Sequence, residues 1–247
     1  MILLLEKEFD KYTSNYDLEN PKLKSRYNHS YRVMELSEKY AKELGFNDSD
    51  VELAKIIGLL HDFGRFEQYK VYKSFIDKDT VDHADYSVVQ LFDKNEIVKF
   101  TDRVDDYGLI KFAIKNHNKK DIPECNDERM LKFAKLIRDA DKVDIMYVLG
   151  HEIHEQATDD KINPEITKLF YEHQVIPSVL TSNINDRIIV QFAFVFDLNY
   201  DVVLKDYRNY FEDFYQNVEY KNKFKEFYEE VINYIDERIE NNVRGEI

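Results

Sequence analysis

A histidine and an aspartate stand side by side at the end of an apolar helical run, within residues 59–65. Adjacent residues on a helix point about 100° apart, so His61 and Asp62 reach one point only where the helix ends. Gly64 predicts that end, because glycine adopts the left-handed cap conformation without a steric penalty. A neutral imidazole nitrogen and a carboxylate oxygen both bind divalent transition metals well. The pair is therefore a candidate metal-binding element.

More candidate ligands lie on helical faces that the hydrophobic pattern turns inward. They are His29, His83, His117 and Asp141. With the pair at 61 and 62 they come from five predicted helices, and the gaps between them fit one helix and one connection each. Six nitrogen and oxygen ligands without sulfur fit one or two divalent ions of Mn, Fe, Co, Ni or Zn, rather than a structural zinc.

Each of these residues also has a purely structural explanation when it is taken alone. His29 and His83 could cap or pack a helix, and His117, at a predicted helix end, could favour the helix dipole. Asp141 could pair with Arg138 or Lys142, both within a turn. An aspartate in an apolar stripe is nevertheless costly to bury unless it is paired or bound to a metal. The metal hypothesis therefore depends on the whole ordered set.

Two cations lie nearest to the candidate ligands in sequence, namely Arg65 and Lys142. In a site built for phosphate, a cation beside the metals would neutralise charge that develops on the non-bridging oxygens. We therefore expect Arg65 and Lys142 to take part in catalysis, together with Asp62 of the His-Asp pair. The alternative for Arg65 is a surface arginine that pairs with Glu67 or Asp62.

The elements that carry these residues are predicted to be helices, because Gly and Pro are few and 43% of residues are hydrophobic. A helix over about residues 25–44, ended by Gly45, carries His29, and the next one ends at the 61–62 pair. Thr80 is expected to cap the helix of His83. A helix from about 97 to 117, broken near Gly108, carries His117.

Asn126 or Asp127 is expected to cap the long helix of Asp141. The pattern breaks over residues 66–79, which predicts a loop. Residues 188–196 form an apolar run that fits a buried helix or a strand, and we interpret it as helix because its neighbours are helical. The expected architecture is one all-α domain over residues 1–247. Its metal-binding core covers about residues 22–150, and a helical extension covers about 151–247.

Composition excludes several other classes of protein. The formal charge of −14 argues against binding a nucleic acid polymer or an anionic membrane. Cys125 is the only cysteine, so no intramolecular disulfide can form. No run is long enough to span a bilayer, and the N-terminus lacks the features of a signal peptide. We therefore expect a cytoplasmic protein.

The order H…HD…H…H…D, with HDFGR at its centre and RDADKVD at its end, resembles the HD-domain superfamily of metal-dependent phosphohydrolases. The resemblance covers about residues 27–147. It implies that His29, His61, Asp62 and Asp141 hold one metal. It also implies that His83 and His117 hold a second, with Asp62 bridging the two. A basic residue after HD-x-G recurs in this family, which supports a role for Arg65.

The resemblance implies hydrolysis of a phosphomonoester or phosphodiester bond in a small phosphorylated substrate or nucleotide, through in-line attack by a metal-bridged hydroxide. The chain lacks the GYP segment of the cyclic-dinucleotide phosphodiesterases. It also lacks the acidic residues that follow the HD pair in alarmone hydrolases. Two alternatives stay open, a di-iron oxygenase of the HD type and a non-catalytic module that binds a metal or a ligand. A homo-oligomer is also compatible with the sequence.

Overall fold

The computed structural model describes residues 2–153 and 156–245, and every regular element within them is helical. The prediction of an all-α fold is confirmed. The longer helices are α1 Ile2–Thr13, α2 Pro21–Glu43, α3 Asp48–Leu60, α4 Gly64–Tyr72, α5 His83–Val88, α6 Tyr107–Asn116, α7 Glu128–His151, α8 Pro164–Tyr171, α9 Ile184–Phe192, α10 Leu204–Asn217 and α11 Lys225–Gly245. The chain divides into two compact units, Met1–Asp141 and Lys142–Ile247, and α7 runs through the boundary.

In the first unit, α2 and α3 pack closely enough that one position between them must be glycine. A Cβ atom on Gly58 would lie 2.9 Å from both Met34 Cα and Val33 O of α2. α2 begins at the Asn20 cap with Pro21 in its first turn. It is followed by Gly45, whose φ of +72° confirms the predicted glycine stop. This close packing brings the inner face of α2 beside the end of α3.

The prediction of a loop over residues 66–79 is wrong in its first half, where α4 continues to Tyr72. The buried positions of α4 include Arg65 and Gln68 beside Phe66. A helix is predicted from apolar residues that recur at helical spacing. Two of the buried positions of α4 are polar, so this helix has no such apolar pattern and was not predicted. α4 ends at Lys73, which is left-handed with a φ of 56°.

The predicted role of Gly64 as a left-handed cap is also wrong, because Gly45 is the only glycine with positive φ among the described residues. Gly64 instead opens α4 where the chain touches α5. Its N–H donates to Ser87 Oγ at 2.9 Å, and a Cβ here would lie 2.6 Å from Ser87 N. Glycine is needed for this close approach, not for its backbone angles.

Two of the predicted helix starts shift and one is confirmed. α5 is capped by Asp82, which accepts from Asp85 N at 3.0 Å, whereas Thr80 accepts from Gln68. The predicted helix from residue 97 is two short 3-10 turns, Glu96–Lys99 and Val104–Asp106, followed by α6. Asp127 does cap α7, because its Oδ1 accepts from Met130 N at 3.0 Å.

The second unit is built around aromatic rings. Phe192 of α9 packs edge-on against Phe211 of α10, with centroids 4.8 Å apart, and Phe170 of α8 packs against Phe227 of α11 at 5.0 Å. The apolar run at 188–196 is helical, as expected, since α9 passes into a 3-10 turn at Ala193–Asp197. None of the helices in the described residues combines the length and apolar character that a bilayer crossing requires.

Candidate metal centre

The first unit brings all six predicted ligands together, each from the end or the inner face of a helix. His29 lies on α2, Asp141 on α7 and His83 at the start of α5, whereas His61 and His117 directly follow α3 and α6. All are buried except Asp141, which is partly exposed. Their ligand atoms form overlapping groups whose members lie within 4.8 Å of one another.

The first group consists of His29, His61, Asp62 and Asp141. His29 Nε2 lies 3.2 Å from both His61 Nε2 and Asp141 Oδ1. His61 Nε2 lies 3.6 Å from the same Asp141 oxygen. Asp62 Oδ2 completes the group at 3.8 Å from His29 Nε2 and 3.9 Å from His61 Nε2. Within this group the ligand atoms of His29, His61 and Asp62 all lie within 4.8 Å of one another, and those of His61 and Asp141 do so together with His117.

The second group consists of Asp62, His83 and His117. The Nε2 atoms of the two histidines lie 3.0 Å apart. Asp62 Oδ1 lies 3.6 Å from His83 Nε2 and 3.7 Å from His117 Nε2. Asp62 thus directs one oxygen to each group, and its Oδ1 is buried without a hydrogen-bond partner among the described residues. A buried carboxylate oxygen with no donor is the form expected of a metal ligand.

The hydrogen bonds of the histidine rings leave their Nε2 atoms available to bind a metal. His61 Nδ1 donates to Gly58 O at 2.8 Å, and His117 Nδ1 donates to Ile114 O at 2.7 Å. Because a carbonyl only accepts, each Nδ1 carries a proton, and a neutral ring then has its lone pair on Nε2. The Nε2 atoms of His83 and His117 lie 3.0 Å apart, and lone pairs on both would repel each other unless a cation lay between them. The donor set therefore suits divalent metal binding.

Before any metal binds, the groups around the two carboxylates favour their ionised forms. Burial would raise the pKa of Asp62, but His61 and Arg65 lower it well below its usual range. Burial opposes ionisation of Asp141 in the same way, and the imidazoles of His29 and His61 lower its pKa. Burial, assisted by Arg65, lowers the pKa of His83 to about 4. Ionised carboxylates and a neutral imidazole are the forms that bind metals.

Arg65 is buried beside the site, where it holds other protein groups. Its Nη1 donates to Asp77 Oδ1 at 2.8 Å, to Phe75 O at 2.8 Å and to Gln68 Oε1 at 3.0 Å. Its Nε lies 3.6 Å from Asp62 Oδ1. Burial lowers the pKa of Arg65 from its usual value, against the influence of Asp62. The guanidinium therefore sits among carboxylates that surround the second group.

The second predicted cation, Lys142, belongs to the second unit. Its Nζ lies 2.7 Å from Asp197 Oδ2, so the ammonium is ion-paired within that unit.

Sequence reasoning missed residues that contact the candidate ligands, two of them charged. Arg26 Nη1 lies 3.2 Å from Asp62 Oδ2, and its side chain is 31% exposed. It precedes His29 by three positions on α2, so the shared helix face could have indicated it. The other is Asp77, whose Oδ2 is hydrogen-bonded to His83 Nδ1. No period or spacing marked Asp77, because irregular backbone separates it from His83.

Comparison with known protein families gives a match over the part of the chain that holds the candidate site. Residues 26–146 match the family model described as the HD domain. This range contains all six candidate ligands together with Arg26, Arg65 and Asp77. No curated protein and no solved structure matches the chain significantly.

Proposed function

Because this chain belongs to the HD-domain family over residues 26–146, we propose that it is a metal-dependent phosphohydrolase. The substrate we propose is a small phosphorylated molecule or a nucleotide, cleaved at a phosphomonoester or phosphodiester bond. The observation that carries this proposal is Asp62, whose two oxygens face two separate groups of imidazole nitrogens. A carboxylate placed in this way suits a site for two ions.

In this proposal His29, His61, Asp62 and Asp141 hold one divalent ion, and Asp62, His83 and His117 hold the other. When bound, such ions lower the pKa of a water molecule and neutralise charge on the oxygens of a phosphoryl group. The protein would contribute fixed ligand positions, since His61 and His117 are each held by a carbonyl oxygen three residues earlier. Ligands fixed before binding need little rearrangement.

We assign the contact with the substrate phosphate to Arg26. Its guanidinium is partly exposed beside Asp62, whereas Nη1 of Arg65 already donates to three acceptors and Lys142 is paired with Asp197. The guanidinium of Arg26 also lies over the ring of Phe75, 5.3 Å from its centroid, which restricts its orientation. Arginine presents a planar set of donors that matches phosphate oxygens.

Replacing Arg26 by alanine is therefore expected to lower kcat/KM for a phosphoester by roughly 10- to 100-fold, the effect of losing a charge-assisted hydrogen bond worth about 1.5–3 kcal/mol. Metal content should stay at the wild-type value. Steady-state kinetics and elemental analysis of the same preparations test this. Lys24→Ala is the matched control, because Lys24 is an exposed cation on the same helix that lies over Tyr27. Equal kinetics for Arg26→Ala and Lys24→Ala would remove the assignment.

The function itself is tested by elemental analysis of protein purified without chelator, together with turnover of a chromogenic phosphomonoester and a chromogenic phosphodiester. We expect divalent metal in the protein, and phosphate or alcohol release that chelation abolishes and added Mn²⁺ restores. Two irons with oxygen consumption, and no phosphoester turnover, would replace the hydrolase by an oxygenase. Metal binding with neither activity would indicate a binding module.

A further inference from the structure

The histidines of the metal centre are held in two different ways. His61 and His117 each donate from Nδ1 to a carbonyl oxygen three residues earlier, at Gly58 and Ile114. Their orientation is therefore part of the helix that precedes them. His83 Nδ1 is hydrogen-bonded to the side chain of Asp77, six residues earlier and in a separate 3-10 turn. Orientation of His83 thus depends on the placement of another segment.

Asp77 connects the chain between α4 and α5 to both of these helices. Its Oδ1 accepts from Arg65 Nη1 at 2.8 Å and from Gln68 Nε2 at 3.2 Å, both on α4. Its Oδ2 accepts from the backbone N–H of His83, with the nitrogen 3.4 Å away. The same oxygen is hydrogen-bonded to Nδ1 of the His83 ring. One carboxylate therefore connects α4, the turn Asp77–Asp79 and the first residue of α5.

Packing does little to fix this segment, which we define as residues 73–82. It starts at Lys73 in the left-handed conformation, and no residue of the turn Asp77–Asp79 is buried. Ile76 is 53% exposed. Phe75 does stack on Tyr69, with centroids 4.9 Å apart. A segment with few buried apolar contacts opens at low free energy, so its placement depends on polar contacts. Those of Asp77 are joined by Arg65 Nη1 donating to Phe75 O and by Gln68 Nε2 donating to Thr80 Oγ1 and Val81 O. Among these residues, only Asp77 also contacts the ring of His83.

We propose that Asp77 is a positioning residue that makes binding of the second ion conditional on the ordering of residues 73–82. The first ion is held by ligands that belong to α2, α3 and α7, and it binds whether or not the segment is ordered. The second ion requires His83, whose Nδ1 is oriented by the carboxylate of Asp77, with Asn118 Nδ2 at 3.3 Å from the same nitrogen. The two ions therefore bind in sequence, with the second one weaker. This inference rests on the metal binding proposed above and does not depend on the reaction.

The test is calorimetric titration of metal-free protein with Mn²⁺, for the wild type and for Asp77→Asn. The variant keeps the volume of the side chain but removes the charge that holds His83, Arg65 and Gln68. We expect two binding events in the wild type. In the variant the affinity of the first should stay within about 3-fold, and that of the second should fall by about 10- to 100-fold, as for other residues that orient metal ligands.

Two further variants calibrate this result. Asp79→Asn changes an exposed aspartate in the same turn and should titrate as the wild type does. His83→Gln removes the ligand itself and should lose the second event, which Asp77→Asn only weakens. A native first event in Asp77→Asn also shows that the variant is folded. If both events keep their wild-type affinity in Asp77→Asn, or if both are lost, the inference is overturned.

Hydrogen exchange tests separately whether binding of the second ion is coupled to the ordering of residues 73–82. We expect residues 73–82 to gain protection when the second equivalent of Mn²⁺ is added, and not at the first. Protection that is complete after one equivalent would overturn the sequential order. A wild-type protein that binds a single ion would overturn the inference while leaving the phosphohydrolase proposal intact, because turnover is measured independently.

Discussion

Replacing Asp62 by alanine is expected to remove metal binding at both groups of ligands and to lower phosphoester turnover by on the order of 10³-fold or more. Asp62 contributes one oxygen to each group, so its loss affects both, unlike the loss of any single histidine. Metal ions supply several kcal/mol of charge stabilisation in phosphoryl transfer, and each 1.4 kcal/mol corresponds to about a factor of ten.

This effect has to be separated from a loss of structure. Asp62 is buried beside Arg65 and lies 3.2 Å from Arg26, so removing it takes away one of the two carboxylates that balance the buried charge of Arg65. Asp62→Asn keeps the side-chain volume, and we expect it to retain the fold while losing most of the metal affinity. Elemental analysis, turnover and thermal unfolding of the two variants make the distinction. Asp105→Ala, at an exposed aspartate of the same unit, is the control. A folded Asp62→Ala protein with two ions bound would contradict the role that we give to this residue.

The convergence of the six candidate ligands was predictable because each one stands at a position that a local pattern marks. His61 follows an apolar run that ends there, and His29 lies on the inner stripe of α2 that also contains Val33. Asp127 is a recognisable cap for the helix that carries Asp141. Helical periods and caps are local properties, so a single sequence reports them well.

The contacts around the ligands were less predictable, because they are made between segments. Lys142 is adjacent to Asp141 in sequence, but neighbouring residues on a helix point about 100° apart, and the ammonium finds Asp197 instead. Asp77 reaches His83 through irregular backbone, which has no period. Arg65 and Gln68 are polar and buried, and their hydrogen bonds to Asp77 depend on the fold of the whole segment.

Gly64 is structurally important, as the sequence suggests, but for a different reason from the predicted one. The sequence predicts a left-handed stop for α3 at this glycine, yet Gly64 begins α4 and does not have positive φ. What requires glycine is α5, whose backbone lies so close that a Cβ on Gly64 would approach Ser87 N to 2.6 Å and Tyr86 C to 2.9 Å. Contact between two helices that are distant in sequence cannot be inferred from the residues around Gly64.

Gly64→Ala is therefore expected to destabilise the protein by about 1–3 kcal/mol or more, the range for forcing additional atoms into a packed interior. The clash is with backbone atoms, which cannot rotate away, so α4 and α5 must separate. His83 opens α5, and we expect the second group of ligands to lose its geometry as well. Chemical unfolding of metal-free protein measures the stability, and Mn²⁺ titration measures the second group.

Gly108→Ala is the matched control for this experiment. A Cβ on Gly108 would meet only Met130 Cε at 3.6 Å, an ordinary contact, and alanine favours a helix over glycine by about 1 kcal/mol. We expect this variant to be as stable as the wild type or more so. The same substitution should thus have opposite effects at two helical glycines. Equal stability of Gly64→Ala and the wild type would show that α5 is not in close contact with this position.

Ser87 separates the two interactions that meet at Gly64. Its Oγ accepts from Gly64 N–H, and both atoms are buried. Ser87→Ala should therefore destabilise the protein by about 1 kcal/mol or somewhat more, because it leaves a buried N–H without an acceptor. It should not rescue Gly64→Ala, since the clash is with the Ser87 backbone and not with its hydroxyl. A double variant that recovers wild-type stability would locate the strain in the side chain of Ser87 and would contradict the close backbone approach.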